Sequence, residues 1–252
     1  MPTASYRKWR PQDYLRHYYA TKDVAEDERY IFDFIIKFLG SEGDFSEMLE
    51  VGAGPTIHHV TPFAGHVGKI YLAEYLPSNI REVKKWIRGD DAAHDWRPYV
   101  EGVIRLEGGR VTPQGVRARI RLLKKKIVRV FRADLFKALP LGRKKQFPLV
   151  TSFYCVECVS SSKARWESAM KNLAGLVAPG GWLILSALRK SRSYKSGNFS
   201  FPSANVHEKD VRDALRKHGF DPRSLDVRSH RVSQWEEEGF TGIILCKAKK
   251  LV

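Results

Sequence analysis

The chain has 252 residues, of which 43% are hydrophobic and 29% are charged, as in ordinary globular proteins. No apolar run approaches the roughly 20 residues that a helix needs to cross a bilayer, and residues 1–10 lead into no apolar block of the secretory type. We therefore expect one soluble, cytoplasmic domain over residues 1–252. The formal net charge of +16 points to nucleic acid unless it lies on a solvated face.

Aromatic side chains crowd residues 6–19, ahead of the first predicted strand. Asp13 is a candidate N-cap for a short helix that ends at Tyr19. We expect this segment to cover a site as a lid. The next predicted helix, over residues 27–39, repeats apolar side chains at helical spacing and ends at Gly40 as its C-cap.

Strands and helices alternate through the rest of the chain. The predicted strands are short and apolar, and they span residues 45–51, 69–76, 128–133, 147–154, 182–188, 225–232 and 242–248. Predicted helices begin at the glycine turn after the first strand and also cover residues 78–87, 163–176 and 206–218, while 191–203 is the expected loop. The last two strands are expected to pair antiparallel. This pattern predicts an α/β, Rossmann-like fold with a mostly parallel seven-stranded sheet and helices on both faces, where ligands bind beyond the carboxyl ends of the strands.

The turn Gly52-Ala53-Gly54 follows the first strand and allows a ligand to approach the backbone closely. The third glycine of the dinucleotide fingerprint is missing, since Ile57 holds its place, and Pro55 has no free amide. NAD and FAD are therefore disfavoured. Glu74 stands near the end of the second strand, where a carboxylate can accept hydrogen bonds from ribose hydroxyls. The turn and Glu74 together predict a nucleoside site, with a plain turn and a surface acid as the alternative.

Asp134 closes another predicted strand, with Leu135 beside it. A carboxylate at this position can accept a hydrogen bond from the exocyclic amine of adenine. A helix N-cap is the alternative interpretation of Asp134.

Basic residues alternate with Ile, Leu and Val over residues 117–132. This pattern is typical of a strand or helix with one solvated face, and a surface that follows nucleic acid phosphates is the alternative. The sequence has no aromatic RNA-binding strand, GXXG clamp or zinc knuckle. Nucleic acid is thus a possible partner but not the favoured one.

Three cysteines, Cys155, Cys158 and Cys246, form an odd set. A single C-x-x-C with neither a second pair nor an adjacent histidine is a poor zinc site. We expect reduced, buried cysteines and no metal site.

Several segments resemble one family of enzymes. They are L-E-V-G-A-G-P-T-I at 49–57, A-E-Y-L-P-S-N at 73–79, P-Q-D-Y-L-R-H-Y-Y at 11–19, D-W-R-P at 95–98 and the turn Pro179-Gly180-Gly181, which is expected to end a helix. Over nearly its whole length the chain resembles the nicotinamide, phenylethanolamine and indolethylamine N-methyltransferases. The resemblance implies a class I methyltransferase that uses S-adenosylmethionine, releases S-adenosylhomocysteine and methylates a nitrogen of an amine or of an aza- or indole heterocycle.

The resemblance also implies which residues bind the cofactor. The first tyrosine of the lid would contact the methionine carboxylate and the last would cover the ligand, while the acid after the second strand would hold the ribose. The cofactor residues implied are Tyr14, Tyr19, Gly52, Ala53, Gly54, Glu74, Tyr75, Asn79, Asp134 and Leu135. We add Phe153, which departs from the family because it replaces a small hydroxyl residue.

On the substrate side, Glu157 matches an acid that the family places against the acceptor. A carboxylate there would attract an amine and accept the proton that methyl transfer releases. Glu238 matches a second acid, with a solvated turn as the alternative. Tyr194 corresponds to a ring that stacks on the substrate, and Tyr18 and Trp235 complete the implied substrate site.

His58 departs from the family pattern. With an ordinary pKa of about 6.5 it could act as a catalytic base near neutral pH, and a residue at a helix start is the alternative. Three further functions stay open for the whole chain: C- or S-methylation, methylation of RNA held on the basic surface, and cofactor binding without catalysis. The sequence gives no oligomeric state.

Overall fold

A computed structural model describes residues 4–252, so positions 1–3 of the predicted lid and cover segment 1–40 lie outside the described residues. The α-helices are α1 (Pro11–Tyr19), α2 (Glu26–Glu42), α3 (Pro77–Arg88), α4 (Arg97–Leu106), α5 (Pro113–Lys126), α6 (Lys163–Ala174) and α7 (Glu208–Lys217). The strands are β1 (Phe45–Val51), β2 (Val67–Glu74), β3 (Ile127–Arg132), β4 (Phe147–Phe153), β5 (Val177–Leu188), β6 (Ser193–Ser196), β7 (Phe199–Pro202), β8 (Asp226–Arg231) and β9 (Gly242–Lys249).

Seven strands form the main sheet in the order β3-β2-β1-β4-β5-β9-β8. Strands β1 to β5 pair in parallel, and β9 pairs antiparallel with both β5 and β8. The mostly parallel seven-stranded fold is therefore confirmed. The strand order reverses between β1 and β4, and a ligand crevice forms at such a switch point.

Helices cover both faces of the sheet because its strands are apolar on both sides. Neighbouring residues of β1 point to opposite faces: Met48 packs in one core with Ile31 and Trp86 from α2 and α3, and Leu49 packs in the other with Trp166 and Leu215 from α6 and α7. This alternation follows from the two-residue period of a strand. Because the helices lie on the two faces, the carboxyl ends of the strands stay open to a ligand.

Two predicted helix ends are wrong. Gly40 lies inside α2, which ends at Glu42 with Gly43 as its C-cap, where φ is +80°. Asp13 lies in the first turn of α1 rather than at its N-cap, because Pro11 begins the helix. Proline suits a first helical position, so it sets the start of α1.

The glycine turn opens no α-helix, contrary to the prediction. Two short 3₁₀ helices, His58–Val60 and Pro62–Gly65, follow it. Pro62 has no N–H and cannot continue a helix.

Two other predicted turns are part of strands. Pro179-Gly180-Gly181 lies within β5 rather than after a helix, and the expected loop 191–203 holds the antiparallel pair β6 and β7. Pairing of β6 with β7 overrides the local turn signal. In β5 the signal persists as a bulge, because the register with β4 shifts between Val177 and Trp182 and Gly180 has φ of +73°.

The basic segment 117–132 divides into the end of α5 and the outer strand β3. Within residues 4–252, no helix is both long and apolar enough to cross a membrane. The three cysteines are free; Cys158 and Cys246 are buried and Cys155 is half-buried.

Candidate functional site

A cavity opens at the carboxyl ends of β1, β2 and β4. Its floor is the glycine turn after β1, and its roof is the N-terminal aromatic segment. All eleven predicted cofactor residues line it. The structure therefore brings together residues that lie as far apart in sequence as Tyr14 and Phe153.

The glycine turn is held against the end of β2. The backbone N–H groups of Gly52 and Ala53 donate to the carbonyl oxygen of Ala73 at 2.8 and 3.2 Å. Gly52 and Gly54 have φ of +77° and +63°, and a Cβ on Gly52 would collide with the Sγ of Cys155. Gly52 is thus required by both its backbone conformation and its packing.

Glu74 is the polar centre of the cavity and is 7% exposed. Its Oε2 accepts from the N–H of Gly54 at 3.0 Å, and its Oε1 accepts from the N–H of Leu76 at 2.8 Å and from Asn79 Nδ2 at 3.2 Å. Burial raises the pKa of Glu74, although these donors oppose the shift. The carboxylate joins the glycine turn to the start of α3.

The lid is connected to this centre by side-chain hydrogen bonds. Trp9 Nε1 donates to Asn79 Oδ1 at 2.7 Å. The hydroxyl oxygens of Tyr14 and Tyr19 lie 3.3 Å apart, and the two rings meet edge to face. Burial raises the pKa of both tyrosines, so both hydroxyls keep their protons.

Asp134 lies on the cavity wall after β3, and it also holds its own loop. Its Oδ1 accepts from the N–H of Phe136 at 3.0 Å. Asn172 Nδ2 donates to the carbonyl oxygen of Leu135 at 2.7 Å, which fixes the loop against α6. Asp134 thus caps a turn and not the start of a helix.

Aromatic rings form the opposite end of the cavity. Tyr194 of β6 is buried, and its hydroxyl lies 3.1 Å from that of Tyr6, which donates to the carbonyl oxygen of Cys158 at 2.8 Å. Tyr6 and Trp9 line the cavity but were not among the predicted site residues. Their place in the dense aromatic run of residues 6–19 was the signal that could have identified them.

Tyr154 follows β4 and was also missed. It has φ of +49°, which is unusual for a bulky side chain and often marks a functional site. Its hydroxyl donates to Asp27 Oδ2 at 2.8 Å, and Trp235 Nε1 donates to Asp27 Oδ1 at 2.8 Å. Asp27 is buried and fixes both rings.

Glu157 is not among the residues that line the cavity. It is fully buried, and its Oε1 accepts from the N–H of Leu188 at 2.9 Å. Burial raises its pKa to about 7, although this N–H opposes the shift. The other carboxylate oxygen, Oε2, is buried and has no hydrogen-bond partner among the described residues.

Three more predicted substrate residues lie outside the cavity lining. Glu238 pairs with His17 at 3.0 Å, Tyr18 donates to the carbonyl oxygen of Lys195 at 2.6 Å, and Trp235 packs edge to face on Tyr18 with ring centroids 5.0 Å apart. They lie in the layer behind the aromatic wall. Only Tyr194 of the predicted substrate residues reaches the cavity.

His58 is buried behind the cavity, where its Nε2 lies 3.0 Å from Glu28 Oε1. Burial lowers its pKa to about 4, and His59 adds to this shift. Burial also disfavours the charged form of His59, but Glu28 and then Glu50 raise its pKa to about 9. His58 is therefore a weak base near neutral pH, and His59, which lines the cavity, is charged there.

Comparison with known proteins finds one family that covers nearly the whole chain. The model of the NNMT/PNMT/TEMT family matches residues 2–251. Nicotinamide N-methyltransferase of Sus scrofa is 30% identical over 232 residues, which are 88% of this chain and 86% of that protein. Indolethylamine N-methyltransferase of Mus musculus is 30% identical over 84% of this chain and 82% of its own. Phenylethanolamine N-methyltransferase of Macaca mulatta is 26% identical over 88% and 81%.

Solved structures share the fold at much lower identity. The N-methyltransferase NodS of Bradyrhizobium japonicum WM9, in complex with S-adenosyl-L-homocysteine, aligns with a TM-score of 0.55 and 13% identity over 94% of this chain and 98% of that one. Magnesium protoporphyrin IX methyltransferase of Synechocystis PCC 6803, with bound SAM, aligns with a TM-score of 0.59 and 14% identity over 97% and 93%. The architecture is therefore that of class I methyltransferases.

Proposed function

Because this chain belongs to the NNMT/PNMT/TEMT family and is an S-adenosylmethionine-dependent methyltransferase of small molecules, we propose that it methylates a nitrogen of an amine or of an aza- or indole heterocycle. The observation that carries the proposal is the aromatic cavity with Glu74 bound to the glycine turn at its floor. We also propose a cytoplasmic location, which the three free cysteines support.

The residues of the cavity fit S-adenosylmethionine. An ionised carboxylate has about four acceptor positions, and Glu74 uses three of them for Gly54, Leu76 and Asn79. We propose that a ribose hydroxyl of the bound cofactor donates to this same carboxylate. We assign the adenine to the wall formed by Tyr75, Asp134 and Leu135.

The aromatic roof suits a cation. Bound S-adenosylmethionine supplies a methyl group on a positively charged sulfur. We propose that Tyr14, Tyr19 and Phe153 face this charge with their rings, since aromatic faces attract cations. With the lid in place, these residues also exclude water and hold the two ligands in one orientation, which is the main contribution that such an enzyme can make.

We assign the methyl acceptor to the end of the cavity formed by Tyr6, Tyr154 and Tyr194. Three rings favour a planar or cationic nitrogen compound. Because the hydroxyl of Tyr154 donates its hydrogen bond to Asp27, its oxygen keeps lone pairs that can accept a hydrogen bond from an N–H of the methyl acceptor. Tyr154 would thus orient the nitrogen.

The buried position of Glu157 and the pairing of Glu238 with His17 support indirect roles for these acids. We propose that Glu157 positions the segment that carries Cys155 and Cys158, and that Glu238 helps to fix the lid through His17. We assign His58 no proton transfer, because its pKa lies near 4.

A release assay for S-adenosylhomocysteine tests the proposal. Purified enzyme is incubated with S-adenosylmethionine and panels of amines, azaheterocycles, indoles, thiols and short RNAs. We expect turnover with planar nitrogen compounds and none with RNA. Turnover confined to thiols or carbon acids would show that the methylated atom is sulfur or carbon rather than nitrogen. Absence of both turnover and cofactor binding would overturn the proposed function.

A further inference from the structure

Behind the cavity wall, three side chains that are common metal ligands converge. Nε2 of His58 lies 3.0 Å from Oε1 of Glu28, and Nε2 of His59 lies 2.9 Å from Oε2 of the same carboxylate. The donor atoms of the three residues all lie within 4.8 Å of one another. Two histidines and one glutamate are the donor set of several catalytic zinc sites.

We propose that Glu28, His58 and His59 bind one divalent transition-metal ion, with Zn²⁺ as the ion that best matches two imidazoles and one carboxylate. The site is distinct from the cofactor and acceptor sites, but it shares His59 with the cavity wall. It differs from the C-x-x-C pair, for which the sequence predicted no metal.

The first argument is the burial of three carboxyl groups, Glu28, Asp27 and Glu50, with no Lys or Arg paired to them in the described part of the chain. Glu28, His58 and His59 are 2%, 0% and 4% exposed, and two further carboxyl groups, Asp27 and Glu50, are 4% and 3% exposed beside them. Across residues 6–252, no Lys or Arg side chain is found in an ion pair with any of these three acids. Buried charge is costly unless it is paired or coordinates a metal. A divalent ion that replaces the proton on His59 would offset more of this negative charge than the proton does.

The second argument is the surroundings of the donors. A histidine that binds a metal usually directs its other ring nitrogen to a carboxylate. The Nδ1 of His59 lies 3.7 Å from Glu50 Oε1, and Glu50 Oε2 has no hydrogen-bond partner among the described residues. Tyr19 donates to Glu28 Oε1 at 3.4 Å. The set therefore has outer partners for both a histidine and the carboxylate.

The third argument is that the donors are held in place. His58 and His59 are consecutive residues of a 3₁₀ turn, yet both rings face the same carboxylate. Their ring centroids lie 3.9 Å apart, and His58 stacks on Trp96 at 4.8 Å with an interplanar angle of 9°. Packing on both sides fixes the rings, and a preformed donor set lowers the cost of binding an ion.

Metal content of the full-length chain, expressed without a polyhistidine tag and with zinc in the medium, provides the first test. After gel filtration in metal-free buffer, we expect elemental analysis to find close to one zinc per chain. Glu28→Gln and His58→Gln should lose this zinc. His66→Gln removes an exposed histidine that pairs with Asp44 and should retain it.

Cobalt gives a second test that needs no variant. The wild-type chain is stripped with a chelator, checked for folding by circular dichroism and titrated with Co²⁺. We expect a visible absorption band that saturates at one equivalent, and a higher melting temperature with Zn²⁺ than with Mg²⁺. Glu50→Gln should weaken the affinity for Zn²⁺ by about 10- to 100-fold.

The proposal is overturned if the folded, stripped wild-type chain shows neither the band nor the rise in melting temperature. It is also overturned if folded Glu28→Gln keeps its zinc. Either result would mean that the three side chains form only hydrogen bonds to one another. S-adenosylhomocysteine binding, measured by calorimetry on the same samples, reports on the proposed function separately from the metal.

Discussion

Trp9 donates the N–H of its indole to Asn79 Oδ1 at 2.7 Å, and this bond joins the N-terminal aromatic segment to the start of α3. Asn79 in turn donates to Glu74, which accepts from the backbone of Gly54. Four residues from three distant segments thus form one hydrogen-bonded chain. The closure of the lid and the shape of the glycine turn are linked through these bonds.

Replacing Trp9 with Phe keeps a ring but removes the donor. Asn79 Oδ1 would then be buried without this partner, which costs about 1–3 kcal/mol. We expect the affinity for S-adenosylhomocysteine to fall about 10-fold, which corresponds to about 1.4 kcal/mol, when measured by calorimetry. Trp166→Phe, on the opposite face of the sheet, is the control. Equal losses in both variants would contradict a specific role for the Trp9 bond.

Glu74→Ala removes the acceptor at the centre of the cavity. Because hydrogen bonds to a charged group contribute about 1.5–3 kcal/mol each, we expect the Kd for S-adenosylmethionine to rise by about 100-fold. Equilibrium binding and KM should both report the change. Glu101→Ala, which removes an exposed acid paired with Arg105, should bind normally. Unchanged cofactor affinity in folded Glu74→Ala would remove the basis of the cofactor assignment.

Tyr154→Phe tests the acceptor end of the cavity. Loss of the hydroxyl removes the proposed contact with the acceptor nitrogen but leaves the cofactor wall intact. We expect kcat/KM for the amine to fall about 10- to 100-fold, as for about 1.4–2.7 kcal/mol of lost transition-state stabilisation, with little change in cofactor affinity. Tyr71→Phe, which also breaks a tyrosine bond to a carboxylate, that of Glu47, serves as the control. An equal loss of cofactor affinity would contradict the assignment of Tyr154 to the methyl acceptor.

Glu157 should make stability depend on pH. Its pKa in the folded chain is about 7, raised by burial from an ordinary value of 4.5. The buried carboxylate therefore has no cost below pH 4.5, and it costs progressively more as the pH rises to 7. The raised pKa therefore lowers the free energy of unfolding above pH 7 by about 3 kcal/mol relative to its value below pH 4.5. Glu157→Gln should consequently unfold at higher urea than the wild type at pH 8 and should lose this advantage at pH 5. An advantage that is the same at both pH values would refute the raised pKa.

The basic segment should bind RNA only through charge. This segment, residues 117–132, lies within a longer cationic stretch: residues 105–145 hold 14 of the 44 basic residues but only two of the 28 acidic ones. Arg117, Arg121 and Lys125 are exposed and lie four residues apart on α5. We expect a triple change to Glu at these positions to abolish RNA retention in low salt and to leave methyl transfer unchanged. Wild-type retention should fall steeply between about 50 and 200 mM salt. Loss of methyl transfer in the triple variant would instead favour an RNA substrate.

The sequence predicted the sheet well, and the residues that it assigned to the cofactor all line one cavity. Strand β1 was predicted with its observed bounds, and Glu74 was located from its distance to the glycine turn, because a parallel sheet brings the ends of consecutive strands together. These features depend on local periodicity and on a spacing that the fold itself imposes.

Features set by long-range packing could not be read in the same way. The pairing of β6 with β7 and the continuation of β5 through Gly180 depend on partners rather than on local propensity. The meeting of Glu28 with His58 requires α2 to lie against the segment after the glycine turn, across 30 positions of sequence. The inward position of Glu157 depends likewise on contact with β5.

The two outermost strands of the sheet, β3 and β8, both carry arginine, at Arg129 and Arg132 on one side and Arg231 on the other. An outer strand has backbone groups that can recruit a strand from another molecule, and charged side chains are a common protection against this. When two copies of this protein approach each other through these outer strands, their arginine side chains bring like charges together. Its cationic character therefore opposes intermolecular strand addition, and so aggregation, even where it contributes nothing to catalysis.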